Sequence, residues 1–491
     1  MGRRVSTPQE PDGRDQSTDP GPGQTPCPGT PPQEGTTLNI GPILVRTVRH
    51  FFPDLRSWID DVEDPRCQLR VIYDKHFLLW WGLSLFLCKL SSRRQLDYQF
   101  NSDGPEVLNN LNRLAGTQQT SRPVNKTLDY FLGRIGSAAV AGLGQKMVAR
   151  LIRMKALDEV RLQGRVLVLI DGSGYLVFHY QHCEQCLTQQ HGETTIYMHQ
   201  VLEAKVLGPG GTVFSIATEF IDNRDAQDTP TGASPEQVKQ DCELKALPRL
   251  VAKIRTAFPQ LRICLVGDSQ FACGAGFQVA RDGRCAFLYV FKEGRTPALW
   301  RDFQGLLKLC PEQHVELTTP QGIHQVYRWV NDLDYEDSDG RPWTFHALHC
   351  RETKKTGVVT QWAWVTPLKV DRDTVVAVAT KGGRERWREE NEGFNTQKNS
   401  GLNLEHAYSH KCWAAYYFLL QIAHMILQLV EKGSLLRQLA EQVGKRTAVA
   451  LFGSLKNMAQ RLLESLRYRR WEDEAFDVGR AATIQIRLDS S

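Results

Sequence analysis

The chain has 491 residues, of which 41% are hydrophobic and 23% charged. That balance excludes a wholly disordered or fibrous protein, and the length exceeds what one simple core accommodates, so two or three folded regions are expected. The formal net charge of +5 is too mild over this length to establish a nucleic-acid partner, which leaves local clusters to carry that argument.

In chain order, residues 1–38 hold eight prolines and six glycines, and Cys27 is the one hydrophobic side chain between Val5 and Leu38. Such a segment buries too little surface to offset its ordering entropy and reads as a disordered tail. Residues 39–160 read as a helical, DNA-binding domain. Phe77 to Cys88 is apolar but far shorter than the ~20 residues that span a bilayer, so it is expected to be a buried helix. Ser91-Ser92-Arg93-Arg94-Gln95-Leu96 reads as a capped helix start. After Pro123, an apolar stripe of Leu128, Phe131, Leu132 and Ile135 leaves Lys126 and Arg134 outside. Helical units with basic outer faces grip duplex phosphates, which makes Arg93 and Arg94 candidate DNA contacts; a helical cap with solvated basic side chains fits the same residues.

Residues 161–292 change to strand, hairpin, helix, strand. Val166 to Ile170 and Ile263 to Val266 are short apolar runs of the kind buried on both faces of a sheet. Tyr197 to Val206 and Thr212 to Phe220 read as strands joined by Gly208-Pro209-Gly210-Gly211, and Glu236 to Phe258 as a helix. The glycine pairs Gly172-Ser173-Gly174 and Gly274-Ala275-Gly276 lack a phosphate-binding lysine and read as turns.

Residues 293–368 form a β-rich insertion with a polar turn at Glu336 to Arg341, and residues 369–435 return to helices. Among these, Arg384 to Lys398 is charged and free of proline, while Trp413 to Val430 is apolar but carries a polar stripe of Gln421, His424 and Gln428. In the helical segment 436–491, Arg467, Arg469 and Arg470 interleave with Tyr468 and Trp471, where a solvated charge run competes with a DNA contact. No membrane span is expected. Arg3 and Arg4 are followed by no apolar stretch of a secretory signal, so a cytoplasmic location with reduced thiols is expected for the 12 cysteines.

Three carboxylates bear the chemistry. Asp171 and Asp268 each follow one of the buried apolar runs, at the carboxyl end of a strand, where open α/β sheets bind ligands. Glu390 sits on the charged helix. Three acids brought together can hold two divalent ions for in-line attack on a phosphodiester. Singly, an Asp after an apolar run is more often a turn or helix cap. Glu389 and Glu392 compete for the third position, whereas Asp241 and Glu243 read as surface charges.

The run Arg384-Glu385-Arg386-Trp387-Arg388-Glu389-Glu390-Asn391, followed by Gly393-Phe394-Asn395-Thr396 and preceded by Trp364-Val365-Thr366-Pro367-Leu368 and Asp171-Gly172-Ser173, resembles the bacterial insertion-sequence transposases with a DDE triad. The branch is the one whose third acid follows an Arg-Trp pair. Its helix pattern is Tyr, two residues, Arg, three residues, Glu, six residues, Lys. Arg386 and Glu390 keep the Arg-to-Glu interval, Gly383 stands where Tyr is expected, and the lysine falls one position late at Lys398, with Gln397 in its place.

The resemblance implies an α/β fold: a ribonuclease H-like mixed sheet flanked by helices, with a β-rich insertion and an N-terminal helical domain. It implies cut-and-paste transposition, with Asp171 bridging two magnesium ions and Asp268 and Glu390 completing one each. Arg386 and Lys398 would touch DNA phosphates, and Trp364 or Trp362 an unpaired base, although alternating strand tryptophans are commonly core. The implied partners are double-stranded DNA (terminal inverted repeats and target) and a second copy in a homodimer, in a prokaryotic cytoplasm at the nucleoid. Inactive, domesticated DNA-binding descendants and plain nucleases are the alternatives.

A second cluster is Cys183-Glu184-Gln185-Cys186 with nearby histidines. Cys183, Cys186, His191 and His199, with His182 as substitute, form a candidate structural zinc site, and an ordinary pair of reduced thiols fits the same sequence.

Overall fold

The computed structural model describes residues 39–223, 241–476 and 484–486; the expected tail, residues 1–38, and the start of the helix expected from Glu236 lie outside them. The first helices are α1 (Gly41–Phe51), α2 (Leu55–Asp60), α3 (Lys75–Leu87), α4 (Arg93–Asn101), α5 (Val107–Ala115) and α6 (Asn125–Arg153). Helix α3 is buried on nearly all sides. Helix α4 begins with a reciprocal cap: the Ser92 side chain accepts from Gln95 N, and Gln95 Oε1 accepts from Ser91 N at 2.8 Å. Leu128, Phe131 and Leu132 of α6 are buried while Lys126 and Arg134 stay outside.

A ten-stranded sheet follows, built from β1 (Val166–Phe178), β2 (Leu187–His191), β3 (Thr194–Leu207), β4 (Val213–Ile221), β5 (Ile263–Gly267), β6 (Ala286–Val290), β7 (His314–Thr318), β8 (His324–Glu336), β9 (Pro342–Thr353) and β10 (Val359–Thr366). Its order is β2-β3-β1-β5-β6-β10-β9-β8-β7, with β4 also paired to β3. Strands β1, β5 and β6 run parallel; β3 is antiparallel to β1, and β10 to β6. Helices α7 (Glu243–Ala257), α8 (Gly274–Asp282) and α9 (Pro297–Leu309) connect these strands, and α7 packs on β3 and β4.

Both faces of the central strands are covered. Val166, Val168 and Ile170 join the large core with the helices, whereas Leu167 and Leu169 join a second core with Trp364, Val375 and Val378. This is the burial that an unbroken apolar run signals. Strand β1 runs on to Phe178, so Gly172-Ser173-Gly174 lies within a strand, and Gly274 opens α8; neither glycine pair is the expected turn. Gly172 lets Glu243 approach the strand closely, since a Cβ there would sit 2.0 Å from Glu243 Oε1 and displace that side chain. The 293–368 segment opens with α9 and then joins the main sheet through β10, in register Trp364 to Val290.

The charged helix is not regular. It comprises α10 (Val375–Ala377), a π turn (Val378–Gly382), a 3-10 turn (Gly383–Arg386), a second π turn (Glu389–Asn395) and α11 (Thr396–Asn399). The chain ends with α12 (Trp413–Lys432), α13 (Ser434–Gln442), α14 (Ala448–Phe452) and α15 (Leu455–Tyr468). Helix α12 is long and apolar enough to cross a membrane, but 83% of its apolar window is buried against the protein. Its polar stripe is internal as well: Gln428 exchanges two hydrogen bonds of 2.8 Å with the Val213 backbone, and Gln421 and His424 bond Gln397 at 2.7 and 2.9 Å. Buried amides tie the helix to β4 and to α11 in place of water.

Candidate active site

Asp171 lies on β1 just beyond its pairing with β5, and Asp268 directly follows β5, so two adjacent parallel strands deliver two carboxyls at the same edge. The irregular helix brings Glu390 beside them. Burial raises the Asp171 pKa; Arg386 opposes that shift, and the Glu390 and Asp268 carboxylates add to it, which places both of them within electrostatic reach of Asp171. Arg386 Nη1 stands 3.5 Å from Asp171 Oδ2. Asp268 and Glu390 therefore lie within electrostatic reach of Asp171, with Arg386 beside it, but among the described residues the acids do not form a group close enough for all of them to share one ion as they stand.

A fourth carboxyl joins them. Glu243, the first residue of α7, accepts a hydrogen bond from Gln270, and its pKa is raised by burial and then by Asp171 and Asp268. Its expected place on the surface is thus corrected. Nothing in the local spacing marks it, because α7 reaches the site only through its packing on β3 and β4. Asp241 instead pairs with Arg249, which also holds Glu219 at 2.6 Å.

The competitors of Glu390 separate cleanly. Glu389 is fully buried and accepts a hydrogen bond from Lys205 at 2.8 Å, and Glu392 pairs with Arg388 at 3.4 Å. Glu390 is exposed toward the site. The remaining candidates divide by exposure. Arg94 is exposed; Arg93 pairs with Asp129 at 2.9 Å and Lys398 with Glu405 at 2.8 Å. Trp364 is 1% exposed, and its ring lies against Gly383, where a Cβ would come within 2.3 Å. It is a core residue and does not present a face to a base. That contact accounts for glycine at position 383. Trp362 instead carries the Arg384 guanidinium over its ring at 4.4 Å. Near the C-terminus, Arg467 bonds the Asp103 carbonyl and Trp471 is buried, so this run anchors α15.

A separate Cys/His cluster lies where β1 gives way to β2. His182, Cys183, Cys186 and His199 place one donor atom each within 4.8 Å of the others, as a metal site requires. The sulfurs are 3.7 Å apart, and His199 Nε2 is 3.3 Å from Cys183 Sγ and 3.7 Å from Cys186 Sγ. His182 takes the place expected for His191. The register explains this: His191 pairs with Thr194, whereas Leu187 pairs with Met198 beside His199, four residues or ~13 Å away along the hairpin. The His191 side chain lies outside the described part.

No protein-family model matches the chain, and no curated protein matches it.

Proposed function

We propose that the protein is a DNA transposase of the DDE type, acting on phosphodiesters with Asp171, Asp268 and Glu390 as its metal-binding carboxylates. The observation that supports this reading is that Asp268, after β5, and Glu390, on the irregular helix, both lie within electrostatic reach of Asp171 on β1, with Arg386 at 3.5 Å from Asp171. The strand order supports a ribonuclease H-like core: three strands linked antiparallel, β1, β3 and β4, with β5 and then β6 parallel on the other side of β1.

The donor set suits hard divalent cations. Asp171, Asp268, Glu390 and Glu243 offer carboxylate oxygens, their charges repel one another, and a dication relieves that repulsion. Bound magnesium would supply Lewis acidity and make an attacking water or 3′-hydroxyl more acidic. Arg386, beside Asp171, would hold a scissile phosphate by its guanidinium. Lys398 holds a neighbouring phosphate after parting from Glu405. A π turn takes up about one residue more than an α turn, so the Glu389–Asn395 turn suits the late position of Lys398. Exposed Arg94, Lys126 and Arg134 extend the phosphate-binding face. Two copies acting on two DNA ends complete the reading, and a structural zinc ion in the Cys/His cluster belongs to it as well.

The test uses the full chain and duplexes taken from the DNA flanking its gene. Asp171→Asn, Asp268→Asn and Glu390→Gln are each expected to abolish magnesium-dependent cleavage while retaining gel-shift affinity. Wild-type protein that binds these duplexes but leaves them intact at every magnesium concentration would favour the non-catalytic, domesticated alternative.

A further inference from the structure

The residues between β1 and β2 have little apolar support. Positions 179–181 and Glu184 are exposed, and within 179–186 only Cys186 is buried. The segment facing them, residues 400–412, joins α11 to α12 and has no regular helix or strand. Leu402, Leu404 and Tyr408 seat the 400–412 segment in the main core, whereas His410 and Lys411 are exposed, so it is the end of the segment at the β1–β2 residues that needs another tie to hold a fixed geometry.

The Cys/His cluster supplies one. Tetrahedral zinc, with bonds of about 2.3 Å to sulfur and 2.0–2.1 Å to nitrogen, sets its ligand atoms about 3.8 Å apart for a sulfur pair and about 3.6 Å apart for sulfur and nitrogen. The separations of 3.7, 3.3 and 3.7 Å among Cys183 Sγ, Cys186 Sγ and His199 Nε2 fall at those values. The fourth donor is oriented independently. His182 Nδ1 is buried and has no hydrogen-bond partner, while its Nε2 lies 2.9 Å from His410 Nδ1. A histidine that binds metal through one ring nitrogen ordinarily donates its other N–H to an outer acceptor, and His410 stands in that position. The His182 ring is further fixed by stacking on Phe178 at 4.7 Å.

The geometry points to a zinc knot: Cys183, Cys186, His199 Nε2 and His182 Nδ1 hold one ion, and His410, through His182, fastens the segment that follows the glutamate-bearing helix. The inference rests on the zinc reading of the cluster and is independent of phosphodiester chemistry. Its consequence is positional, since the 400–412 segment separates Glu390 and Lys398 from the buried anchor of α12.

Full-length protein purified without chelator is expected to carry close to one zinc per chain by mass spectrometry. The cobalt-substituted form should show thiolate-to-metal charge transfer and the intense visible bands of a tetrahedral site. Cys183→Ser and His199→Ala should abolish stoichiometric uptake, whereas His191→Ala and Asp171→Asn should leave it unchanged. His410→Ala should keep the tetrahedral cobalt spectrum but weaken zinc affinity about 10–100-fold, and chelation of wild-type protein should speed proteolysis within 400–412. Absence of zinc and cobalt uptake, or a Cys183–Cys186 disulfide in its place, would overturn both the site and the knot. Normal zinc affinity in His410→Ala, with proteolysis unchanged by chelation, would overturn the knot and leave the site standing. Neither result bears on cleavage by the three acids.

Discussion

Lys205 sits between two buried carboxyls, and the balance among the three groups makes a prediction that separates them. Glu203 accepts hydrogen bonds from Ser215, from Thr218 Oγ1 at 2.7 Å and from the Tyr417 hydroxyl at 2.6 Å, donors that suit its ionised form. Glu389 bonds Lys205 through Oε1 alone, its Oε2 has no partner, and burial pushes its pKa up to about 8 against the pull of Lys205. Burial raises the Glu203 carboxyl as well, but Lys205 and three hydrogen-bond donors oppose that shift, so at pH 7 the proton belongs to Glu389 and Lys205 balances Glu203. Lys205→Met leaves two carboxyls with no cation and should cost about 3–5 kcal/mol, as removing one partner of a buried pair does. Glu389→Gln keeps shape, charge balance and the oxygen that accepts from Lys205, and it spares the cost of protonating a buried carboxyl at pH 7, so it should not destabilise. Urea unfolding at pH 7 measures both. The pH dependence is a second readout. Because the folded-state pKa lies above the ordinary 4.5, the stability Glu389 contributes is whole below that value and is lost as pH rises through about 8. At 1.36 kcal/mol per unit, the loss reaches at most about 5 kcal/mol, and Glu389→Gln should remove that slope. Equal losses for the two variants, or a slope that survives in Glu389→Gln, would refute the assignment.

Three further outcomes follow from the packing. Asp171→Asn relieves repulsion among the clustered acids, so without magnesium its melting temperature should rise slightly by calorimetry, and added magnesium should stabilise it less than wild type. Gly383→Ala drives a methyl into the Trp364 ring and should cost about 1–3 kcal/mol in chemical denaturation. Gln428→Leu strands the Val213 N–H and carbonyl without partners, at about 1–3 kcal/mol each; an unchanged denaturation midpoint would mean that water reaches β4 there.

The sequence carried the parts of the site that depend on short-range pattern. Apolar runs ending in Asp171 and Asp268 are visible because strands buried on both faces cannot alternate. The reciprocal Ser92 and Gln95 cap is likewise local, as is the Cys183 and Cys186 spacing. Long-range packing hid the rest. Glu243 looks like any acid opening a helix until α7 is laid on the sheet. The choice of His182 over His191 depends on the β2–β3 register, which no spacing rule supplies. Trp364 was open to either role by alternation alone, and only the strand's place beside β6 puts it inside. The π turns around Glu390 have no composition signature, so the helix could be read but its winding could not.

The union of β10 with β6 means that the segment between the second and third acids is no detachable module. Cutting out residues 313–366 would strip β6 of its neighbour, leaving unmet backbone donors and acceptors at Tyr289 and Val290, a template for intermolecular strand addition. Evolutionary or laboratory shortening of this protein would need to begin at the outermost strand, β7, and work inward.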